Sequence, residues 1–257
     1  MRMGRRKLLK IALITAGAVV AGGGTIYVIN RKSRPLGDHF DGTRKVLISR
    51  FGKERATQLI EAISKEYEIL APQMPYIGGE ENMFTEWLIY GVYYLAVYRI
   101  LKGQGQTSEE VGKVIYDAFK AMADHPKWLL RLIGGLKYNN RYVNRLREAV
   151  RETQKHRYPG DWVAEFIEGD GKTFDYGLDI KECGICKYYH AQGAGELAPY
   201  LCLSDCVVSE AFDRGLVRFK TLAEGTDVCD FRYKKGRETY VHPLRNGWPP
   251  RFSREKI

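Results

Sequence analysis

The first 34 residues contain no aspartate or glutamate; their charged groups are Arg2, Arg5, Arg6, Lys7, Lys10, Arg31, Lys32 and Arg34. They account for most of the formal net charge of +10, because the rest of the chain carries 33 basic and 31 acidic residues. A phosphate-tracking surface needs a cation surplus on the folded body, so the composition argues against nucleic acid as a partner. Cysteine is also scarce, with five in 257 residues and none before position 183. A chain of this length buries a sizeable core without covalent staples, so these thiols are not needed as a disulfide scaffold, and any disulfides formed on export would leave one of the five free. No period of 20 to 50 residues recurs, which excludes a solenoid. Nine prolines with 44% hydrophobic and 28% charged residues exclude a disordered or collagen-like chain.

Residues 11–29 form a long uncharged stretch, which as a helix would span about 28 Å, close to the hydrocarbon thickness of a bilayer. The preceding segment 4–10, with Arg5 and Arg6, resembles a twin-arginine export signal. The run exits into Tyr27, Val28, Ile29 and Asn30 rather than an A-x-A-like cleavage site, so an uncleaved single-pass membrane anchor is expected. Basic residues flank the span on both sides, and the positive-inside rule leaves the side of the membrane open.

Two halves of different character follow a linker over 35–45. Residues 46–155 read as helix, with an aromatic-rich run at 87–98 at the centre of the core. Pro72, Pro75, Gly78 and Gly79 mark a loop, and Thr107 to Glu110 a capped helix start. Over 160–235 the pattern changes. A hairpin is expected at 163–168 and 174–180, then helices at 183–192 and 195–213, then strands at 216–222 and 228–233 joined by a turn at Gly225. The expected fold is therefore α+β: a transmembrane helix, a helical half packed on a small antiparallel sheet, and a two-helix cysteine-bearing insert. The last residues, 246–257, read as a polar tail.

The cysteines carry the chemistry, in the order Cys183, Cys186, Cys202, Cys206 and Cys229. Helical spacing puts Cys183, Cys186 and His190 on one face, and Cys202, Asp205, Cys206 and Ser209 on another. Cys229 lies on a strand with Asp230 on the opposite pleat. Three readings compete. The first is a zinc or iron site held by Cys183, Cys186, Cys202 and Cys229, with His190 as a further ligand. The second is a thiolate nucleophile with Asp205 or Asp230 handling protons. The third treats the thiols as small core residues. Arg218, on a strand with apolar neighbours, calls for a carboxylate partner such as a substrate or an aspartate.

The runs 174–187, 196–205, 218–225 and 229–233, with Cys183-Gly184-Ile185-Cys186, Cys202-Leu203-Ser204-Asp205, Arg218-Phe219-Lys220-Thr221 and Cys229-Asp230-Phe231-Arg232-Tyr233, resemble the L-2-amino-thiazoline-4-carboxylic acid hydrolase family. The resemblance covers roughly 45–240 and implies one domain over 46–245. It implies water addition to the ring carbon between sulfur and nitrogen of a small cyclic amidine, on a route to cysteine. By motif position it carries over Cys183, Cys202, Asp205, Cys229 and Asp230 as catalytic residues and Arg218 and Thr221 as substrate contacts, leaving Cys206 aside. A membrane-tethered metal- or ligand-binding domain without turnover is the alternative.

Overall fold

The computed structural model describes residues 18–22, 25–29 and 37–248. It overturns the expected membrane-spanning helix. Strands β1 (Ala18–Gly22) and β2 (Thr25–Ile29) pair antiparallel, from Ala18 opposite Ile29 to Gly22 opposite Thr25. Val19, Val20, Thr25, Ile26, Val28 and Ile29 are β-branched and favour strand, whereas the glycines at 22–24 oppose a helix. Among the described residues no helix is long and apolar enough to cross a membrane, so the single-pass anchor and membrane localisation are not carried forward. The twin-arginine-like segment 4–10 lies outside the described residues.

The helical half begins inside the expected linker, with α1 (Gly37–Phe51), and continues through α2 (Lys53–Leu70), α3 (Thr85–Gly103), α4 (Ser108–Met122), α5 (Lys127–Gly135) and α6 (Asn140–Thr153). Gly52, at φ 76, separates α1 from α2 in a conformation that favours glycine. The aromatic-rich run lies in α3, where every residue from Gly91 to Tyr98 is buried, so this stretch of the helix is enclosed on all sides. Each such aliphatic side chain contributes about 1.5–3 kcal/mol by leaving water. Helix α4 starts as its sequence indicates: Thr107 Oγ1 accepts from the Glu110 N–H at 3.2 Å, and the Glu110 carboxylate accepts from the Thr107 N–H at 2.7 Å.

Strands β3 (Val163–Glu168), β4 (Tyr176–Glu182), β5 (Leu216–Arg218), β6 (Cys229–Tyr233) and β7 (Tyr240–Val241) form one sheet in the order β3-β4-β6-β5-β7. The sheet is mixed rather than purely antiparallel, because β7 runs parallel to β5. Beyond Tyr233 the chain reverses at Gly236 (φ 76). Arg237 donates to the carbonyls of Thr173, Gly215 and Arg232, which holds the returning chain beside β5. Helix α6 covers β3, and Thr153 Oγ1 accepts from the Ala164 N–H at 3.1 Å.

The cysteine-bearing insert differs from two long helices. Helix α7 (Gly184–Ala191) is followed by a 3-10 turn (Gly195–Leu197), α8 (Ala198–Cys202) and α9 (Ser204–Ala211). The break falls at Leu203, where the N–H of Leu203 bonds Tyr200 and the N–H of Cys206 bonds Leu203, tightening the chain to three-residue spacing. The expected stripe is thereby split. Cys206 and Ser209 turn into the core, while Cys202 and Asp205 stay partly open to solvent.

Candidate active site

Cys183 ends the chain's passage along β4 and is the N-cap residue of α7, with extended backbone at φ −112 and ψ 120. Cys186 lies one turn inside the helix. The residues between them are clamped. A Cβ on Gly184 would come within 2.7 Å of the Trp162 ring and 2.8 Å of the Gly160 carbonyl oxygen, while Ile185 packs on Gly91 of α3. Tyr189, one turn further on, donates its hydroxyl to the Gly91 carbonyl at 2.8 Å. Lys187 Nζ donates to the carbonyls of Pro159 and Asp161. Contacts with both halves of the molecule thus set the start of α7.

The opposite wall comes from α8, α9 and β5. Arg218 is 3% exposed, and its guanidinium donates to Asp205 Oδ2 at 2.5 Å and to the Cys202 carbonyl at 3.1 Å. Its carbon centre stands 5.2 Å from the Phe231 ring centroid. The carboxylate partner expected for Arg218 is therefore Asp205, whose side chain keeps 38% of its surface open. The expected strand 216–222 stops at Arg218 because the next N–H groups are taken elsewhere. Asp230 Oδ1 accepts from Phe219 at 2.9 Å and Lys220 at 2.6 Å, and Thr221 caps a 3-10 turn (Leu222–Glu224) that ends at Gly225, φ 85. Thr221 Oγ1 lies 3.7 Å from both Cys202 Sγ and Cys229 Sγ, and the Leu222 N–H donates to Cys229 Sγ at 3.2 Å.

The thiols are electrostatically unequal. The Cys183 thiol is lowered below its ordinary value, chiefly by the Cys186 thiol that donates to it, against the cost of burial. The Cys186 and Ile185 N–H groups at the helix start add to this, although the sulfur makes no full cap hydrogen bond. The same hydrogen bond, together with burial, holds Cys186 protonated. Burial raises the Cys202 thiol against the attraction of Arg218, and raises the Cys229 thiol against the Leu222 N–H and Thr221 hydroxyl. The Asp205 carboxyl is also raised by burial, opposed by Arg218 and Arg214.

The structure brings Cys183, Cys186, Cys202, Cys229, Asp205, Arg218 and Thr221 together, each sensing others of the group by charge or hydrogen bond. It does not bring in Asp230, which anchors the backbone after β5, or His190, which is exposed with its ring against Gly195. Cys206 is fully buried in the core. The expected zinc or iron ligand set does not assemble: among the described residues, no group of three or more histidine, cysteine, aspartate or glutamate side chains is placed to hold a metal ion. Tyr189 escaped the reading of the sequence. It stands three residues after Cys186, where His190 stands four, both spacings that bring helix residues near one another, and its burial raises its hydroxyl well above the ordinary value.

Neither the curated proteins nor the solved structures provide a match to the chain. A family model for L-2-amino-thiazoline-4-carboxylic acid hydrolase matches residues 86–233, from α3 to the end of β6, which is more than half of the chain and includes every residue of the cluster. The chain therefore belongs to the L-2-amino-thiazoline-4-carboxylic acid hydrolase family.

Proposed function

We propose that the protein is a hydrolase that opens the ring of a small cyclic amidine carboxylate of the 2-aminothiazoline type, with Cys183 as nucleophile and Asp205 as proton donor. The observation that carries this reading is the placement of Cys183 at the N-cap of α7. There the Cys186 thiol and helix N–H groups favour its thiolate, beside the Asp205 carboxyl, whose hold on a proton burial strengthens against the pull of Arg218. The Cys183 sulfur adds to the ring carbon between sulfur and nitrogen. Asp205 delivers its proton to the ring nitrogen, and the carbon–nitrogen bond breaks. Water then displaces the opened product from Cys183 and returns a proton to Asp205. Arg218, expected as a substrate clamp, is too enclosed for that work. It acts as a positioning residue, holding the Asp205 carboxyl in place through a 2.5 Å hydrogen bond. Thr221 acts similarly by bridging Cys202 and Cys229.

The test is turnover of L-2-amino-thiazoline-4-carboxylate by the purified full chain, followed by loss of substrate and release of the ring-opened product. Cys183→Ala should abolish turnover, and Asp205→Asn should lower kcat by about 10²-fold or more. Circular dichroism of each variant shows whether the fold is retained. Turnover that survives in folded Cys183→Ala would overturn the nucleophile assignment. A wild-type chain that binds the substrate without consuming it would favour a ligand-binding role.

A further inference from the structure

The pair Cys183 and Cys186 has a geometry that ring opening does not require. Helix N-cap and third helical position face each other, the relation that lets a capping box close, and in this protein both positions carry sulfur. Each thiol is the strongest influence on the other, drawing Cys183 below and Cys186 above the ordinary thiol value. The Gly184 and Ile185 backbone between them is locked by Trp162 and Gly91. Neither cysteine is fully buried, whereas Cys206 and Cys229 are. Residues so spaced at a helix start lie within the span a disulfide bridges, so closing the bond asks for side-chain rotation rather than backbone movement.

We propose that Cys183 and Cys186 form a redox-active dithiol that reduces small-molecule disulfides, a second activity of the same recess. The Cys183 thiolate attacks one sulfur of the disulfide R–S–S–R, forming a mixed disulfide and expelling one thiolate, which takes up a proton from solvent. Cys186 then loses its proton and attacks the Cys183 sulfur, forming the Cys183–Cys186 bond and expelling the second thiol. Two electrons pass from the dithiol to the disulfide, and a thiol reductant in solution returns the pair to its reduced state. The step shares Cys183 with the ring-opening reading but uses neither Asp205 nor Arg218.

The sequence supplies a clean readout, because cleavage after Lys181 and Lys187 releases residues 182–187 with these two cysteines and no other. The reduced full chain is mixed with oxidised glutathione, quenched with acid, alkylated, digested and read by mass spectrometry. The 182–187 peptide should appear with both cysteines protected and a mass two hydrogens lighter, returning to the doubly alkylated form with dithiothreitol. In Cys186→Ser, glutathione should stay attached to Cys183 roughly tenfold longer than in the wild type. Asp205→Asn should still form the disulfide while losing ring opening, so failure of one activity is distinguishable from failure of the other. If Cys183 and Cys186 instead stay doubly alkylated, or each carries its own glutathione in the wild type, the dithiol proposal is overturned. The wild-type result decides this even if Cys186→Ser does not fold.

Discussion

Replacing Gly184 with alanine tests whether packing, rather than backbone freedom, fixes the start of α7. The added methyl group would meet the Trp162 ring at 2.7 Å and the Gly160 carbonyl oxygen at 2.8 Å. Trp162 cannot step aside easily, being 2% exposed, stacked on Phe84 at 5.4 Å and edge-on to Trp87 at 6.2 Å. The carbonyl is backbone and yields only with its loop. Overpacking of this kind costs about 1–3 kcal/mol, and the rigid surroundings place it in the upper half of that range. Alanine is the better helix former by at most about 1 kcal/mol, so the net change remains destabilising. The net of about 1–2 kcal/mol, with roughly 2–4 °C lost per kcal/mol in a chain of this size, should lower Tm by about 2–8 °C. Thermal unfolding followed by circular dichroism measures it, and the rate of Cys183 alkylation reports the effect on the site. A variant within about 1 °C of the wild type, with unchanged alkylation, would refute the reasoning that Trp162 presses on this turn.

Ser209→Ala should destabilise the protein by about 1–3 kcal/mol in urea unfolding, because it strands the buried Leu216 N–H and Thr239 hydroxyl that the serine oxygen meets at 2.9 and 2.7 Å. The thiols predict the alkaline limb of stability. Cys186, Cys202 and Cys229 have raised values in the fold, so each favours its protonated state there, and that stabilisation is lost as pH rises past the ordinary thiol value of about 8.5. Cys183 alone opposes them, its contribution being present above that value and lost as pH falls through its lowered folded value. The net unfolding free energy should therefore decline above about pH 8.5, and a flat profile would contradict these assignments. At the acid end, burial lowers His39 to about 3 while its Nδ1 meets the Tyr94 hydroxyl at 2.9 Å. Stability should drop by up to about 1.4 kcal/mol per pH unit below pH 6.5. His39→Gln should flatten that slope.

Much of the fold was legible locally. The enclosed run of α3, the Thr107 capping box and the β3–β4 hairpin follow from hydrophobic period and cap chemistry, which operate within a few residues. The candidate site is legible as residue type and spacing for Cys183, Cys186, Cys202, Asp205, Arg218 and Cys229, and through the family resemblance for Thr221. What could not be read was the local competition for N–H groups. Asp230 looked like a proton carrier because nothing in the sequence shows that the Phe219 and Lys220 amides would claim it. His190 shares a helix with Cys186 but points to solvent, and only the packing of α7 on α3 decides which of His190 and Tyr189 turns inward.

The sequence by itself determined a helical half followed by a small sheet, the grouping of reactive residues and the family, because periodicity, caps and motif spacing are properties of short stretches of chain. Tertiary structure decided the rest. It paired residues 18–22 with 25–29 as strands where an apolar run suggested a helix. It closed the sheet with a parallel strand, Tyr240–Val241, beyond the last strand expected from the sequence. It also set the burial that raises the Cys202 and Cys229 thiols, because the groups that cover them come from elements distant in sequence, whereas the lowering of Cys183 rests on Ile185 and Cys186 beside it at the start of α7.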